Sequence, residues 1–89
     1  MASAGRHRKT LNEIFERPTR AGLAWSRIEK LLLALGARLS EGRGSRIRVH
    51  LNGVRAVFHR PHPRKEVGKG ALRSVQRFLK TAGIGPEEE

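Results

Sequence analysis

The stretch Gly44-Ser45-Arg46-Ile47-Arg48-Val49-His50-Leu51-Asn52-Gly53-Val54-Arg55-Ala56-Val57-Phe58-His59 decides the fold. Asn52-Gly53 is the preferred dipeptide of a two-residue type I′ turn, because both central positions require φ > 0. Counting outward from it sets the register. Leu51 faces Val54, Val49 faces Ala56, Ile47 faces Phe58 and Arg46 faces His59. Successive strand side chains point to opposite faces. One face therefore carries Ile47, Val49, Leu51, Val54, Ala56 and Phe58. The other carries Arg46, Arg48, His50, Arg55 and His59, with Val57 the sole apolar residue among them. The first face is core. The second is a cationic plate set with imidazoles, which suits a phosphate chain.

The residues on either side extend this sheet and supply its cover. Ala37 to Glu41 reads as a short strand, and Gly42-Arg43-Gly44-Ser45 as the turn into the hairpin. Ahead of it, Ile28, Leu31, Leu32 and Leu35 recur at i, i+3, i+4 and i+7, the stripe of a core-facing helix. Ser26-Arg27-Ile28-Glu29 has capping-box spacing, with the start near Trp25, and Gly36 falls at C′. Trp25 is expected to pack against the sheet. After the hairpin, Arg60-Pro61-His62-Pro63-Arg64-Lys65 ends the strand, since two prolines remove two backbone donors. Gly68-Lys69-Gly70 leads into a last helix with Leu72, Val75, Phe78 and Leu79 as its stripe, capped by Gly83.

The N-terminal part is read as residues 1–23. Met1 to Lys9 is expected to be a basic arm, and Thr10-Leu11-Asn12-Glu13 to open a short helix by the same capping spacing. Leu11, Ile14 and Phe15 lie on one side of it, Pro18 ends it, and Arg17 to Leu23 is a linker. Residues 24–84 form the domain, and residues 85–89 are a short acidic tail. The fold class is α+β. The order α-β-β-β-α, with a three-stranded antiparallel sheet covered on one side by two helices, is the double-stranded-RNA-binding-like layout.

At 89 residues the chain has room for one small core. Its formal net charge is +11, and arginines dominate it. Such a charge favours a polyanionic partner, and guanidinium suits bidentate phosphate contact. The chain has no cysteine, which excludes disulfides, thiolate metal sites and cysteine nucleophiles. The longest apolar run, Leu31-Leu32-Leu33-Ala34-Leu35, falls far short of the roughly 18–20 residues of a membrane span. A cytoplasmic protein with no membrane partner and no small-molecule cofactor is the expectation. His59-x-x-His62 lacks a nearby carboxylate or cysteine to complete a zinc site, so no metal is expected. Gly68-Lys69-Gly70 lacks the spacing of a P-loop.

The segments Leu35-Gly36-Ala37, Gly44-Ser45, the hairpin, Arg60-Pro61-His62-Pro63, Gly68-Lys69-Gly70 and Leu72-Arg73-Ser74-Val75 through Ala82-Gly83-Ile84 together resemble the HicA family. The resemblance spans Trp25 to Ile84. It implies the toxin of a type II toxin–antitoxin pair, with a double-stranded-RNA-binding-like fold. It further implies cleavage of messenger RNA with no metal cofactor, and neutralisation by a HicB-type antitoxin that covers the active surface. In that family a histidine just after the Gly-Ser pair is catalytic. Here Arg46 and Ile47 follow Gly44-Ser45, so that role does not carry over. His59, across the hairpin from Arg46, reaches nearly the same space, because paired Cβ atoms lie about 4.5–5.5 Å apart.

This reading assigns His59 and His62 as catalytic. Arg46, Arg48, His50, Arg55, Arg60, Arg64, Lys65 and Lys69 are assigned to RNA binding. Histidine suits proton transfer because the pKa of a free imidazole is about 6.5. Arginine suits stabilisation of a charged phosphorane. The alternative is an RNA-binding module that does not cut. A DNA-binding module lacks a helix-turn-helix here, and a purely protein-binding element would use the same face to meet an acidic antitoxin.

Overall fold

The computed structural model describes residues 2–61 and 66–86. Their order is α1 (Ala2–Ile14), β1 (Leu23–Ala24), α2 (Trp25–Ala34), β2 (Arg38–Glu41), β3 (Arg46–Leu51), β4 (Val54–His59), β5 (Glu66–Val67) and α3 (Lys69–Thr81). Strands β2, β3 and β4 form an antiparallel sheet in that order, and β1 pairs with β5 in a separate two-stranded ribbon. The fold class is thus the expected α+β arrangement with an N-terminal helix, and the β1–β5 ribbon is added.

The hairpin register is the one set by Asn-Gly. Leu51 pairs with Val54, Val49 with Ala56, Ile47 with Phe58 and Arg46 with His59. Asn52 has φ 51° and Gly53 has φ 80°, the left-handed pair that a type I′ turn demands. The Asn52 side-chain amide donates to the Ala82 carbonyl at 2.8 Å, tying the turn to the C-terminal end of α3. On the inner face Ile47, Val49, Leu51 and Phe58 are buried, together with Ile28, Leu31 and Leu32 of α2 and Leu72, Val75, Phe78 and Leu79 of α3. Three rings run through this layer. Trp25 lies 5.9 Å from Phe58, and Phe58 lies 5.7 Å from Phe78 in an edge-on contact. Trp25 is a packing residue, as its sequence position implied.

Both long helices of the domain end in the same way. Gly36 and Gly83 have φ 95° and 86°. Behind Gly36, the Ala37 amide donates to the Leu32 carbonyl at 2.9 Å and the Gly36 amide to Leu33 at 3.0 Å. Behind Gly83, the Ile84 amide donates to Leu79 at 2.8 Å and the Gly83 amide to Lys80 at 3.0 Å. These are Schellman bonds, and they turn the chain sharply away from the helix axis. At Gly36 the turn delivers it to β2.

The N-terminal region departs from its sequence reading. Residues 2–9 are helical, and α1 continues through Thr10 rather than starting there. The Thr10 hydroxyl donates to the Arg6 carbonyl at 3.1 Å, inside the helix, and accepts from Arg27 Nη2 at 2.9 Å. Glu13 pairs with Arg27 at 2.5 Å and with Arg20 at 3.1 Å. The spacing that resembled a capping box thus serves a contact to α2. Leu11 and Ile14 are buried in the common core, with Phe15 packed against it. Gln76 of α3 donates to the Ile14 carbonyl at 2.6 Å, satisfying one of the carbonyls a helix end leaves open. Leu23, read as linker, is a buried β1 residue paired with Val67.

Candidate nucleic-acid interface

Among the described residues no helix covers the outer face of the three-stranded sheet, and its residues fall into cross-strand rows. Arg38, His50 and Arg55 form one row, and Ser40, Arg48 and Val57 the next. Arg46 and His59 form the third. All eight are exposed. The Arg60 amide donates to the Ser45 carbonyl at 2.9 Å, one step beyond the third row. Alternation of the ladder from that bond puts Arg46–His59, Arg48–Val57 and His50–Arg55 at non-hydrogen-bonded positions. There the paired Cα atoms are closest, about 4.5 Å apart. The imidazole of His59 and the guanidinium of Arg46 therefore rise side by side from one place on the plate.

Three depressions mark this face, and two of them bear on the site. One, about 620 Å³, is centred on the first two rows, with Arg38, Ser40, Arg48, His50, Arg55 and Val57 around it. The other, about 470 Å³, is walled by Arg43, Gly44, Ser45, Arg46 and His59. The second unites the Gly-Ser pair, the arginine after it and the histidine from the opposite strand.

Charge is distributed unevenly between the two sides of the molecule. On the helical side Arg20 and Arg27 are held by Glu13. Among the described residues, no carboxylate holds Arg38, Arg46, Arg48 or Arg55. The outer strand face carries no carboxylate of its own, since Glu41 pairs with Ile47 and so belongs to the other side. Four guanidinium groups consequently stand on one plate with no carboxylate partner among the described residues.

The remaining sequence assignments separate. His50 and Arg55 stand on the plate as paired neighbours. Arg60 does not. Its Nε donates to Glu29 Oε2 at 2.7 Å and its Nη1 to Glu41 at 2.9 Å. The Trp25 indole N–H donates to the same Glu29 oxygen. Hydrogen bonds donated to Glu29 first, and then to Glu41, raise the already high pKa of the Arg60 guanidinium. Arg60 thus ties the end of β4 to α2. Lys69 is the exposed first residue of α3, two residues after β5. His62, Arg64 and Lys65 lie outside the described residues. No group of three or more potential metal ligands occurs among the described residues. No helix there is long and apolar enough to cross a membrane.

Sequence reasoning left out Arg38, Ser40 and Arg43. Arg38 and Ser40 alternate with half-buried Leu39, the same period-two signal that sorted the hairpin. Arg43 sits in the turn, where alternation says nothing about direction.

The family model described as the HicA toxin of bacterial toxin–antitoxin matches residues 25–84, more than half of the chain. No curated protein and no solved structure matches.

Proposed function

Because this chain belongs to the HicA toxin family, we propose that it is an endoribonuclease whose outer sheet face grips messenger RNA. The observation that carries this reading is the set of four arginines on this face without carboxylate partners among the described residues, one of which, Arg46, pairs with His59. Guanidinium forks match phosphate geometry.

The chemistry uses the RNA's own 2′-hydroxyl. His59 takes its proton, and the oxygen attacks the adjacent phosphorus. Arg46 stabilises the charge on the phosphorane oxygens. The bond from phosphorus to the 5′-oxygen breaks, and that oxygen takes a proton from an acid, a role assigned to His62. The products are a 2′,3′-cyclic phosphate and a 5′-hydroxyl. A carboxylate-free donor set suits this path, because hard divalent cations are held through oxygen ligands. The family's usual histidine site holds Arg46, and His59 reaches the same depression from the opposite strand.

The same cationic plate fits an acidic HicB-type antitoxin that covers it and blocks RNA. A second reading, an RNA-binding protein that does not cut, is favoured by the arginine at the family's histidine site. One experiment separates them. Purified protein is incubated with messenger RNA in the presence of a metal chelator. Fragments ending in cyclic phosphate support the nuclease; a gel shift with intact RNA supports the binder.

A further inference from the structure

Val57 has no counterpart on the outer sheet face. It is 55% exposed, on the edge strand β4 in the middle row of a plate otherwise made of charged or polar side chains. It pairs with Arg48, and the row continues to Ser40. The larger depression is centred here, with His50 on its wall. Grip on phosphate alone does not call for an apolar side chain on a face with four guanidinium groups. A ligand with both a charged backbone and flat apolar faces does.

We propose that the middle row of this face is a nucleobase site. It takes one unpaired base of single-stranded RNA, packed over Val57 and flanked by the Arg48 guanidinium and the His50 imidazole. Arg38 and Arg55 hold the phosphates on either side. Bases in single strands can be splayed out and stacked on imidazole rings or guanidinium planes. Bases in an A-form duplex stay within the stack and show a protein only their edges and backbone. The site therefore selects unpaired RNA, and it presents one nucleotide one row away from His59. This inference rests on the RNA reading given above and specifies the form of RNA.

The test compares binding to a short single-stranded oligoribonucleotide, an abasic strand of the same length and a blunt duplex of the same sequence. The abasic strand keeps the phosphates and lacks the bases. Wild-type protein should bind the intact strand about tenfold more tightly than the abasic one. Val57→Ser should lose most of that ratio while the slope of affinity against salt stays as it was, because the phosphate contacts remain. Val57→Phe should widen the ratio by offering a flat ring. Equal affinity of wild-type protein for intact and abasic strands overturns the base site and leaves RNA binding standing. A ratio that neither variant moves overturns it likewise. No affinity for any of the three overturns both readings and points to a protein as the occupant of the face.

Discussion

His59 of β4 stands directly across the ladder from Arg46 of β3, at the rim of a depression that also contains Gly44 and Ser45. One residue can move a proton and the other can hold a phosphate, and the backbone pairing alone sets their separation. Arg46→Ala should therefore lower the cleavage rate on the order of a hundredfold, as loss of a charge-stabilising donor does. Its effect on RNA affinity should be small, one phosphate contact among several. Single-turnover cleavage and equilibrium binding on the same variant check this split.

Arg38 and Arg55 should behave as phosphate contacts. Arg38→Gln and Arg55→Gln should each weaken RNA binding. Each should also reduce the slope of log affinity against log salt by about 0.7, the value for a single-strand phosphate contact. A titration over several salt concentrations gives both quantities.

Arg60 makes a contrasting prediction. Its guanidinium is engaged by Glu29 and Glu41, so Arg60→Gln should lower the melting temperature and leave the salt slope of RNA binding unchanged. Thermal unfolding and the same titration decide it.

Helix α1 lies outside the family match, yet Leu11 and Ile14 are buried in the shared core. Ile14→Ala should cost about 2–5 kcal/mol, the range for removing a fully buried aliphatic side chain. Removal of residues 1–24 should expose the same apolar surface and destabilise the domain. Denaturant unfolding of both variants measures the effect.

The turn is a further point of stability. Gly53 has φ 80°, so Gly53→Ala should destabilise by about 1–2 kcal/mol, the cost of a left-handed L-residue. The unfolding midpoint should shift with little change in its slope.

These relationships differ in how far the sequence disclosed them. Asn52-Gly53 fixed the sorting of the hairpin side chains, because a two-residue loop leaves no freedom of register. Gly36 and Gly83 marked the helix ends, where only a residue tolerant of positive φ fits. Thr10-Leu11-Asn12-Glu13 misled, because a hydroxyl and a carboxylate at that spacing serve equally well in a contact between helices. The Thr10 and Glu13 side chains meet Arg27, seventeen and fourteen positions away in the chain, and local spacing holds no record of such a pairing. Strands β1 and β5 were missed for a related reason. Two residues each are too short for any period, and they form only by meeting one another. On the site, alternation placed Arg46, Arg48, His50, Arg55 and His59 on one face. It could not place Arg60, whose partners come from α2 and β2.

The central claim is that His59 supplies the base for RNA cleavage. The most direct measurement is the single-turnover rate of messenger RNA cleavage, in the presence of chelator, by wild-type protein and by His59→Ala with its fold verified by circular dichroism. The account predicts cyclic-phosphate products from the wild type and a rate lower by about 10²–10⁴ in the variant, the contribution of a positioned general base. Equal rates in the two proteins, or no cleavage by the wild type, would contradict it.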